Sequence, residues 1–464
     1  MKHLIWPVIF FTGIPIIAVA SARNATVRTA CWAILVGLLG LGHLGGVVNF
    51  ISMEHYRGPD RGFEFDFTFM FAIGLLLSRN FRAPRIEPQE KGMAPGFYFL
   101  LIFLVWCIIG IAGSIMPLYG AFAEVKWIRM LFLYYVVWSA GRSEADPRVF
   151  FNGVRLGFAL GMLFVGYFGM TQKFLQHVYR VTATFDAPNT IPLFVNLAAP
   201  MVLAWILGDN KIERFDFVLS FLATGMALVA VVTTQSRLGM FLATAIIAAT
   251  LVASNARKPS RRSIAATLAF VALGLIGGVL VLNTIITRIK TAPESSEQAR
   301  DEFNVAAKLM AADKFFGVGL NNFSEAMTNV EKYRASTEVM ANEEQSGVAH
   351  HLWLLTAAET GYVGLGVFVA FFAAIELHYL RFLFKRRTKA ERAALGFLPQ
   401  VVWATLFGNL ALITQGFYEW AFRITPVSSQ FIVISAFVSA AISRSTWTEG
   451  RGLGTCFDKT KPIV

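Results

Sequence analysis

Apolar segments long enough to cross a membrane follow one another along most of the chain, and they constrain its fold more than any other feature. The hydrocarbon core of a bilayer needs about 20 apolar residues per helix. The segments near 63–78 and 127–141 are shorter than this, so we predict about 12–13 transmembrane helices rather than a fixed number. We therefore predict an all-α polytopic membrane protein that forms a single membrane domain, 1–464. The segments lie near 4–21, 29–52, 63–78, 97–117, 127–141, 149–169, 191–208, 217–234, 238–254, 264–284, 352–379, 394–416 and 425–443.

The composition supports this class and excludes several others. Charged residues make up 15% of the chain and hydrophobic residues 56%, whereas soluble domains carry about 25% charge. The formal net charge of +12 is not interpreted as a sign of nucleic-acid binding, because basic loops of membrane proteins face anionic lipid. Cys31, Cys107 and Cys456 have no paired spacing, so neither a zinc site nor a disulfide framework is predicted.

Four clusters of basic residues orient the segments. The positive-inside rule places all four clusters in the cytoplasm. Counting spans from the third segment onward then places the loops near 170–190, 235–237, 285–351 and 417–424 outside, while the side of the N-terminus stays open. The clusters comprise Arg79, Arg82, Arg85 and Lys91; Arg257, Lys258, Arg261 and Arg262; Arg381, Lys385, Arg386, Arg387, Lys389 and Arg392; and Arg444, Arg451, Lys459 and Lys461.

The outer loop 285–351 is the one long polar insert between the apolar segments. Residues 295–314 are predicted to form an amphipathic helix, since their apolar side chains recur at helical spacing. A second, weaker helix is predicted over 322–340. We expect these helices to lie on the membrane surface and to cover a cavity. The predicted apolar stripe consists of Phe303, Ala306, Ala307 and Met310.

Two arginines stand at the outer ends of apolar segments. Arg180 precedes a predicted helix start at Asn189 and Thr190, where an anion between the guanidinium and the free helix N–H groups would be favoured. Arg237 ends the three-residue hairpin 235–237. The helix dipole compensates neither cation at a helix N-terminus. The alternative for both is an arginine that only contacts the headgroup region.

His350 ends the insert and begins the next segment. An imidazole with a pKa near 6.5 can take a proton at neutral pH. His351 points about 100° away around the helix, so only one of the two can share a given site. The alternative is an ordinary interfacial histidine. Glu359 lies deeper in the segment, where an acid needs a partner, and Gly361 is predicted to permit close packing beside it.

The predicted topology places Arg180, Arg237 and His350 on the same face of the membrane. Two guanidinium groups suit a diphosphate, because each offers paired hydrogen bonds. A base beside a diphosphate leaving group fits glycosyl transfer, in which an acceptor hydroxyl attacks the anomeric carbon. A single displacement of this kind inverts the anomeric centre.

The motifs around these residues resemble those of the O-antigen ligase and O-antigen polymerase superfamily. HHLWLLTAAETGYVG resembles the His-(Asn)-x-x-Leu…Glu-x-Gly-x-x-Gly signature, with the family's His at His350, its frequent Asn at His351 and its Glu-x-Gly at Glu359 and Gly361. FFGVGLNNF resembles the preceding Gly-x-Gly stretch at Gly317 and Gly319. TTQSRLGM resembles the Ser-Arg hairpin, and YRVTATFDAPNTIP the Arg…Pro-Asn segment that ends at Asn189. The four motifs follow the family's order over about residues 170–380.

The resemblance implies an inverting glycosyltransferase in the bacterial inner membrane that needs neither a metal nor another cofactor. Its donor would be a glycan on undecaprenyl diphosphate, used at the periplasmic face. The acceptor would be lipid A–core, as in lipopolysaccharide synthesis, or a growing glycan, as in exopolysaccharide synthesis. Ligase, polymerase and transfer to protein hydroxyls all stay open, since no residue pattern identifies the acceptor groove.

Two other functions compete with this interpretation. Glu64 and Asp66 in the first outer loop resemble the acidic pair of metal-dependent lipid-linked glycosyltransferases, in which carboxylates hold Mg²⁺ or Mn²⁺. A transporter or flippase of lipid-linked glycan is the second alternative, supported by the number of spans; against it, no inverted repeat is evident.

Glu419 and Arg423 in the last outer loop are candidates for an acceptor groove.

Overall fold

The computed structural model describes residues 2–82, 92–209, 212–256, 259–272, 274, 294–336 and 347–447. Of these residues, 77% are helical, and the α-helices are connected mostly by short loops. Residues 273 and 275–284 of the tenth predicted segment, residues 285–293 and 337–346 of the insert, and seven residues of the basic clusters lie outside the described residues. These seven are Arg85, Lys91, Arg257, Lys258, Arg451, Lys459 and Lys461.

The described helices follow the predicted segments closely, although only residues 264–272 and 274 of the tenth segment are described. The second and third segments differ at their junction, because residues Val48–Phe50 and Phe63–Phe65 pair as a two-stranded antiparallel sheet instead of extending the helices. The α-helices are α1 Lys2–Arg23, α2 Ala25–Gly37, α3 Phe67–Ser78, α4 Phe97–Ile111, α5 Pro117–Ser143, α6 Pro147–Met170, α7 Thr190–Gly208, α8 Arg214–Thr233, α9 Arg237–Asn255, α10 261–272, α11 Glu294–Asp313, α12 Phe323–Asn329, α13 Glu331–Arg334, α14 Leu352–Phe384, α15 Lys389–Ala394, α16 Leu398–Gln415 and α17 Thr425–Trp447.

Eight of the described helices are long and apolar enough to cross a membrane, and two shorter ones, Phe67–Phe81 and Phe97–Ile111, are also apolar. The chain is thus an all-α polytopic membrane protein. Helices α7 and α17 form its centre, since 94% and 89% of their apolar windows are buried. Helix α1 lies at the periphery, with only 28% of its apolar window buried, and its exposed apolar side chains suit contact with lipid.

Helix α5 carries several buried charged side chains, among them Lys126 and Arg129. Lys126 Nζ lies 2.8 Å from Asp60 Oδ1 and also donates to the Arg423 carbonyl oxygen at 2.5 Å. Arg129 pairs with Asp66 and donates to the Glu64 carbonyl oxygen. The sequence alone predicted only a short segment at 127–141 because these charges interrupt the apolar pattern of what is one helix of 27 residues.

The insert packs a separate small core against the beginning of α14. The apolar stripe of α11 is buried as predicted. The second predicted helix is divided into α12 and α13, and Tyr333 of α13 joins the same core. The partners from α14 are Leu355 and Ala358. Helix α11 therefore covers the first turns of α14, beside His350.

The ion pair between α5 and the first outer loop gives a test of this architecture. We expect Lys126→Met to destabilise the protein by about 3–5 kcal/mol, because it leaves the buried Asp60 carboxylate without its cation. The thermal unfolding midpoint of the purified protein in detergent should fall. Adding Asp60→Asn should restore part of the loss, and Lys308→Met, on the exposed face of α11, should have little effect. Equal midpoints for Lys126→Met and the wild type would contradict this.

Candidate active site

Arg180 lies against the hairpin that leads to Arg237. Its Nε donates to the Thr234 carbonyl oxygen at 3.3 Å, and Gln235 Nε2 donates to the Tyr179 carbonyl oxygen at 3.4 Å. The hairpin is as tight as predicted, since α8 ends at Thr233 and α9 begins at Arg237. The structure therefore brings the loop that carries Arg180 to the hairpin that carries Arg237, and the side chain of Arg237 is exposed there.

A chain of polar contacts links Arg180 to the last outer loop. Arg180 donates to Asn189 Oδ1 at 3.1 Å, and Asn189 Nδ2 donates to Glu419 Oε1 at 2.5 Å. The same carboxylate oxygen lies 3.6 Å from an Arg300 nitrogen. Segments far apart in sequence, including α11 of the insert, thus meet at Glu419.

The predicted helix cap at Asn189 is wrong in one respect. Asn189 does precede α7, but its side chain makes no capping hydrogen bond and faces Arg180 and Glu419 instead. The N–H groups of Thr190 and Ile191 already donate to the carbonyl oxygens of Ala187 and Pro188. An anion at this position would consequently depend on the guanidinium groups more than on free helix N–H groups.

Glu419 is a buried carboxylate whose charge is balanced by this network. Burial raises the pKa of Glu419 to about 7, while Arg300, the Asn189 hydrogen bond and Arg180 act in the opposite direction. A group with this pKa is partly protonated at neutral pH. The arginines around it are therefore only partly neutralised and remain able to attract an anion.

His350 lies at the edge of the same network. Burial and, to a smaller extent, the Arg300 guanidinium lower the pKa of His350 to about 4, against the opposite effect of a hydrogen bond to the Val348 backbone. Among the described residues, Nδ1 of His350 has no hydrogen-bond partner. The imidazole is therefore neutral at pH 7, with a nitrogen that can accept a proton.

His351 has a different environment from its neighbour. It is the N-cap of α14, and its Nδ1 accepts a hydrogen bond from the Leu354 N–H at 3.2 Å. The N–H of Leu352 donates to the carbonyl oxygens of Gly416 and Glu419. These bonds fix the beginning of α14 against the last outer loop, and they engage Nδ1 of His351 in the helix cap.

Glu359 has the partner that its depth requires. Its Oε2 lies 2.8 Å from a nitrogen of Arg423, and both side chains are almost completely buried. Glu359 Oε1 also accepts from the Phe323 N–H at 3.4 Å. The pair joins α14, the last outer loop and the insert. Arg423 therefore has a structural role as the partner of Glu359. The sequence alone indicated only that Arg423 lies in the last outer loop.

The glycine motifs form a backbone clamp beside this ion pair. Gly361 interrupts α14 with a φ of 70° and a ψ of 175°, a conformation that L side chains rarely adopt. The break leaves the Ala358 and Glu359 carbonyl oxygens available, and they accept from the N–H groups of Val318 and Gly319 at 2.9 and 3.0 Å. A side chain at Gly317 or Gly361 would collide with this clamp.

The acidic pair of the first outer loop is engaged by cations. Arg129 contacts both Glu64 and Asp66, and Lys126 holds Asp60. Among the residues that the structure describes, no three His, Cys, Asp or Glu side chains are grouped as a metal site requires. The loop carboxylates therefore hold the sheet and α5 together.

Sequence reasoning identified the arginines and the histidine of this region but not all of their partners. The contact of Arg300 with Glu419 was missed, because in sequence Arg300 is one of several charges on the polar face of an amphipathic helix. Glu419 and Arg423 were assigned to the right loop without their contacts. Glu419 pairs with Asn189, 230 residues earlier in the chain, and Arg423 pairs with Glu359, 64 residues earlier. No local sequence pattern indicates contacts over such separations.

The clamp at Gly361 can be tested with a matched pair of glycines. Gly361→Ala should destabilise the protein by about 1–3 kcal/mol from the backbone conformation alone, and its methyl group would also meet the Phe315 carbonyl oxygen. Gly366→Ala is the control, because no atom lies within 4 Å of a side chain there and the helix favours alanine. The measurement is the thermal unfolding midpoint in detergent. Equal midpoints for the two variants would contradict the clamp.

One comparison with known proteins bears on this region. The model of the O-antigen ligase family matches residues 222–369, which is about a third of the chain and includes Arg237, the glycine motifs, His350 and Glu359. Arg180, Asn189 and Glu419 lie outside the match. No curated protein matches the chain. The family match confirms the resemblance of this chain to the O-antigen ligase and O-antigen polymerase superfamily.

Proposed function

We propose that this protein is an inverting, metal-independent glycosyltransferase of the O-antigen ligase and polymerase type. It moves a glycan from undecaprenyl diphosphate to an acceptor hydroxyl at the periplasmic face of the bacterial inner membrane. The observation that carries the proposal is the meeting of Arg180, Asn189, Arg300 and Glu419 at the end of the bundle where α14 begins, two residues after His350. The family match supports the same class of activity.

The guanidinium groups supply the diphosphate site. Arg180 and Arg237 flank the hairpin between α8 and α9, and Arg300 approaches from the insert. A guanidinium offers paired hydrogen bonds to phosphate oxygens and keeps its charge at all accessible pH values. The cations favour the diphosphate most when it leaves, because its negative charge is then greatest.

His350 is the proposed general base. As the acceptor oxygen attacks the anomeric carbon, the acceptor O–H bond breaks and its proton passes to the unpartnered Nδ1 of His350. The bond between the anomeric carbon and the diphosphate oxygen breaks in the same step, and its electron pair leaves with undecaprenyl diphosphate. One displacement inverts the anomeric centre.

The remaining predicted residues have supporting roles in this proposal. Asn189 orients Arg180 against Glu419. Gly317, Gly319 and Gly361 form the backbone clamp, and Glu359 anchors it through Arg423. The insert 285–351 is the proposed periplasmic cover of the membrane domain. The acceptor is lipid A–core or a growing glycan, and both use the same donor chemistry.

Replacement of His350 tests the proposed base. His350→Ala should abolish glycan transfer from undecaprenyl-diphosphate donor by purified protein, while donor binding and the unfolding midpoint stay near wild type, because the imidazole is not a ligand of the diphosphate. His351→Ala is the control, since its loss removes a helix cap worth about 1 kcal/mol but no proposed reacting group. Transfer retained by His350→Ala would contradict the proposal.

Chelation of divalent metal ions distinguishes the proposed metal-independent enzyme from a metal-dependent enzyme that uses the carboxylates of the first outer loop. Transfer should proceed at the same rate in excess EDTA, because the proposed cations are guanidinium groups. Arg237→Lys should lose most of the transfer in the same buffer, because the ammonium group cannot form the paired hydrogen bonds. A loss of activity in EDTA that Mg²⁺ or Mn²⁺ restores would instead favour the carboxylates Glu64 and Asp66.

A further inference from the structure

A second site lies at the opposite end of the bundle from His350. A cavity of about 990 Å³ opens between the start of α4 and the ends of α5, α14 and α17. Helix α14 begins beside His350 and reaches this cavity 20 to 30 residues later, a separation on the order of 35 Å at 1.5 Å per residue. The cavity is therefore separate from the candidate active site.

The wall of the cavity is apolar and faces the outside of the bundle. Phe99 of α4 and Leu377 of α14 line it, and these side chains are 41% and 49% exposed. The small side chains of Ala370, Ala373 and Ala374 leave open space beside α14 at this point. Exposed apolar walls on a membrane-spanning bundle suit contact with acyl chains.

The end of the cavity is cationic. Arg142 and Arg381 line it beside His378, and no acidic residue is among its described lining residues. Arg142 is held in place by a hydrogen bond to the Gly92 carbonyl oxygen at 2.9 Å and by the Trp138 ring, 4.9 Å away. Within the described part of the chain, Nε2 of His378 has no hydrogen-bond partner.

The surroundings add to this positive charge. Glu144 is the nearby carboxylate at the end of α5, and it is already engaged by Arg28 at 3.1 Å and Arg82 at 2.6 Å. Arg444 donates to the Gly141 and Glu144 carbonyl oxygens. The charges of the cavity are thus not offset by this acid, and an anion is the complementary ligand.

We propose that this cavity binds one anionic phospholipid of the adjacent leaflet. The phosphate lies between Arg142 and Arg381, with His378 as a further hydrogen-bonding group, and one acyl chain covers Phe99 and Leu377. The combination of an exposed apolar wall with a cationic end matches a lipid better than a soluble phosphate, because only a lipid satisfies both parts. This site does not depend on the proposed glycosyl transfer.

Lipid retention by the full-length protein tests the site. The purified protein is exposed in detergent to equal amounts of phosphatidylglycerol and phosphatidylcholine with identical acyl chains, and bound lipids are counted by native mass spectrometry. The wild type should retain phosphatidylglycerol preferentially. Arg381→Gln should reduce that preference about tenfold, the effect of losing one charged hydrogen bond. Arg392→Gln removes an equal charge from exposed α15 outside the cavity and should not.

Two further arms test the apolar wall and the source of the phosphate. Ala373→Trp fills the wall and should abolish retention, whereas Val369→Trp, at an exposed position of the same helix outside the cavity, should not. Soluble glycerol 3-phosphate should fail to displace the lipid. Equal retention of both lipids by the wild type, equal losses in Arg381→Gln and Arg392→Gln, or displacement by glycerol 3-phosphate would each overturn the proposal.

Discussion

The buried ion pair between Glu359 and Arg423 holds together the segments on which the candidate site depends. Its two side chains are nearly inaccessible and lie 2.8 Å apart, so either charge left alone would be strongly unfavourable. His350 lies nine residues before Glu359, and Glu419 four residues before Arg423. Because Phe323 and Lys126 also donate to this pair of residues, one electrostatic contact fixes the beginning of α14, the last outer loop, the insert and α5 relative to one another.

The sequence predicted those features whose cause is local. Apolar runs of bilayer length, the stripe of α11 and the three-residue hairpin before Arg237 all depend on residues close together in the chain, and the structure confirms each. The strand pair at Val48–Phe50 was missed because its residues continue an apolar run. The contacts of Arg300 and Glu419 depend on packing between distant helices, which no window of sequence contains. The contacts of Arg129 with Glu64 and Asp66 were missed for the same reason, since Arg129 lies 63 residues from Asp66 in the chain.

The family match covers only some of the residues that form the candidate site. Within residues 222–369, the glycines have a backbone reason for their identity, since the break at Gly361 frees two carbonyl oxygens that the Gly317 to Gly319 stretch occupies. Such a clamp would be needed by any protein that holds the insert against α14, whatever it transfers. Arg180, Asn189 and Glu419 lie outside that range, whereas Arg237 and Arg300, two of the arginines of this region, lie inside it. The match therefore covers the clamp and part of the candidate site, but not the contacts among Arg180, Asn189 and Glu419.

The charge around His350 has a consequence for when it can act as a base. Arg300 lowers the pKa of His350 further than burial alone, and the main carboxylate beside that arginine, Glu419, has a pKa of about 7. The arginines of this region outnumber that carboxylate, and His350 is a weak base beside them. A diphosphate bound between the guanidinium groups would remove that positive field and raise the pKa of His350, since a nearby anion favours the imidazolium. Under the proposed function, His350 becomes an effective base only when the donor is bound, which couples deprotonation of the acceptor to the presence of a leaving group.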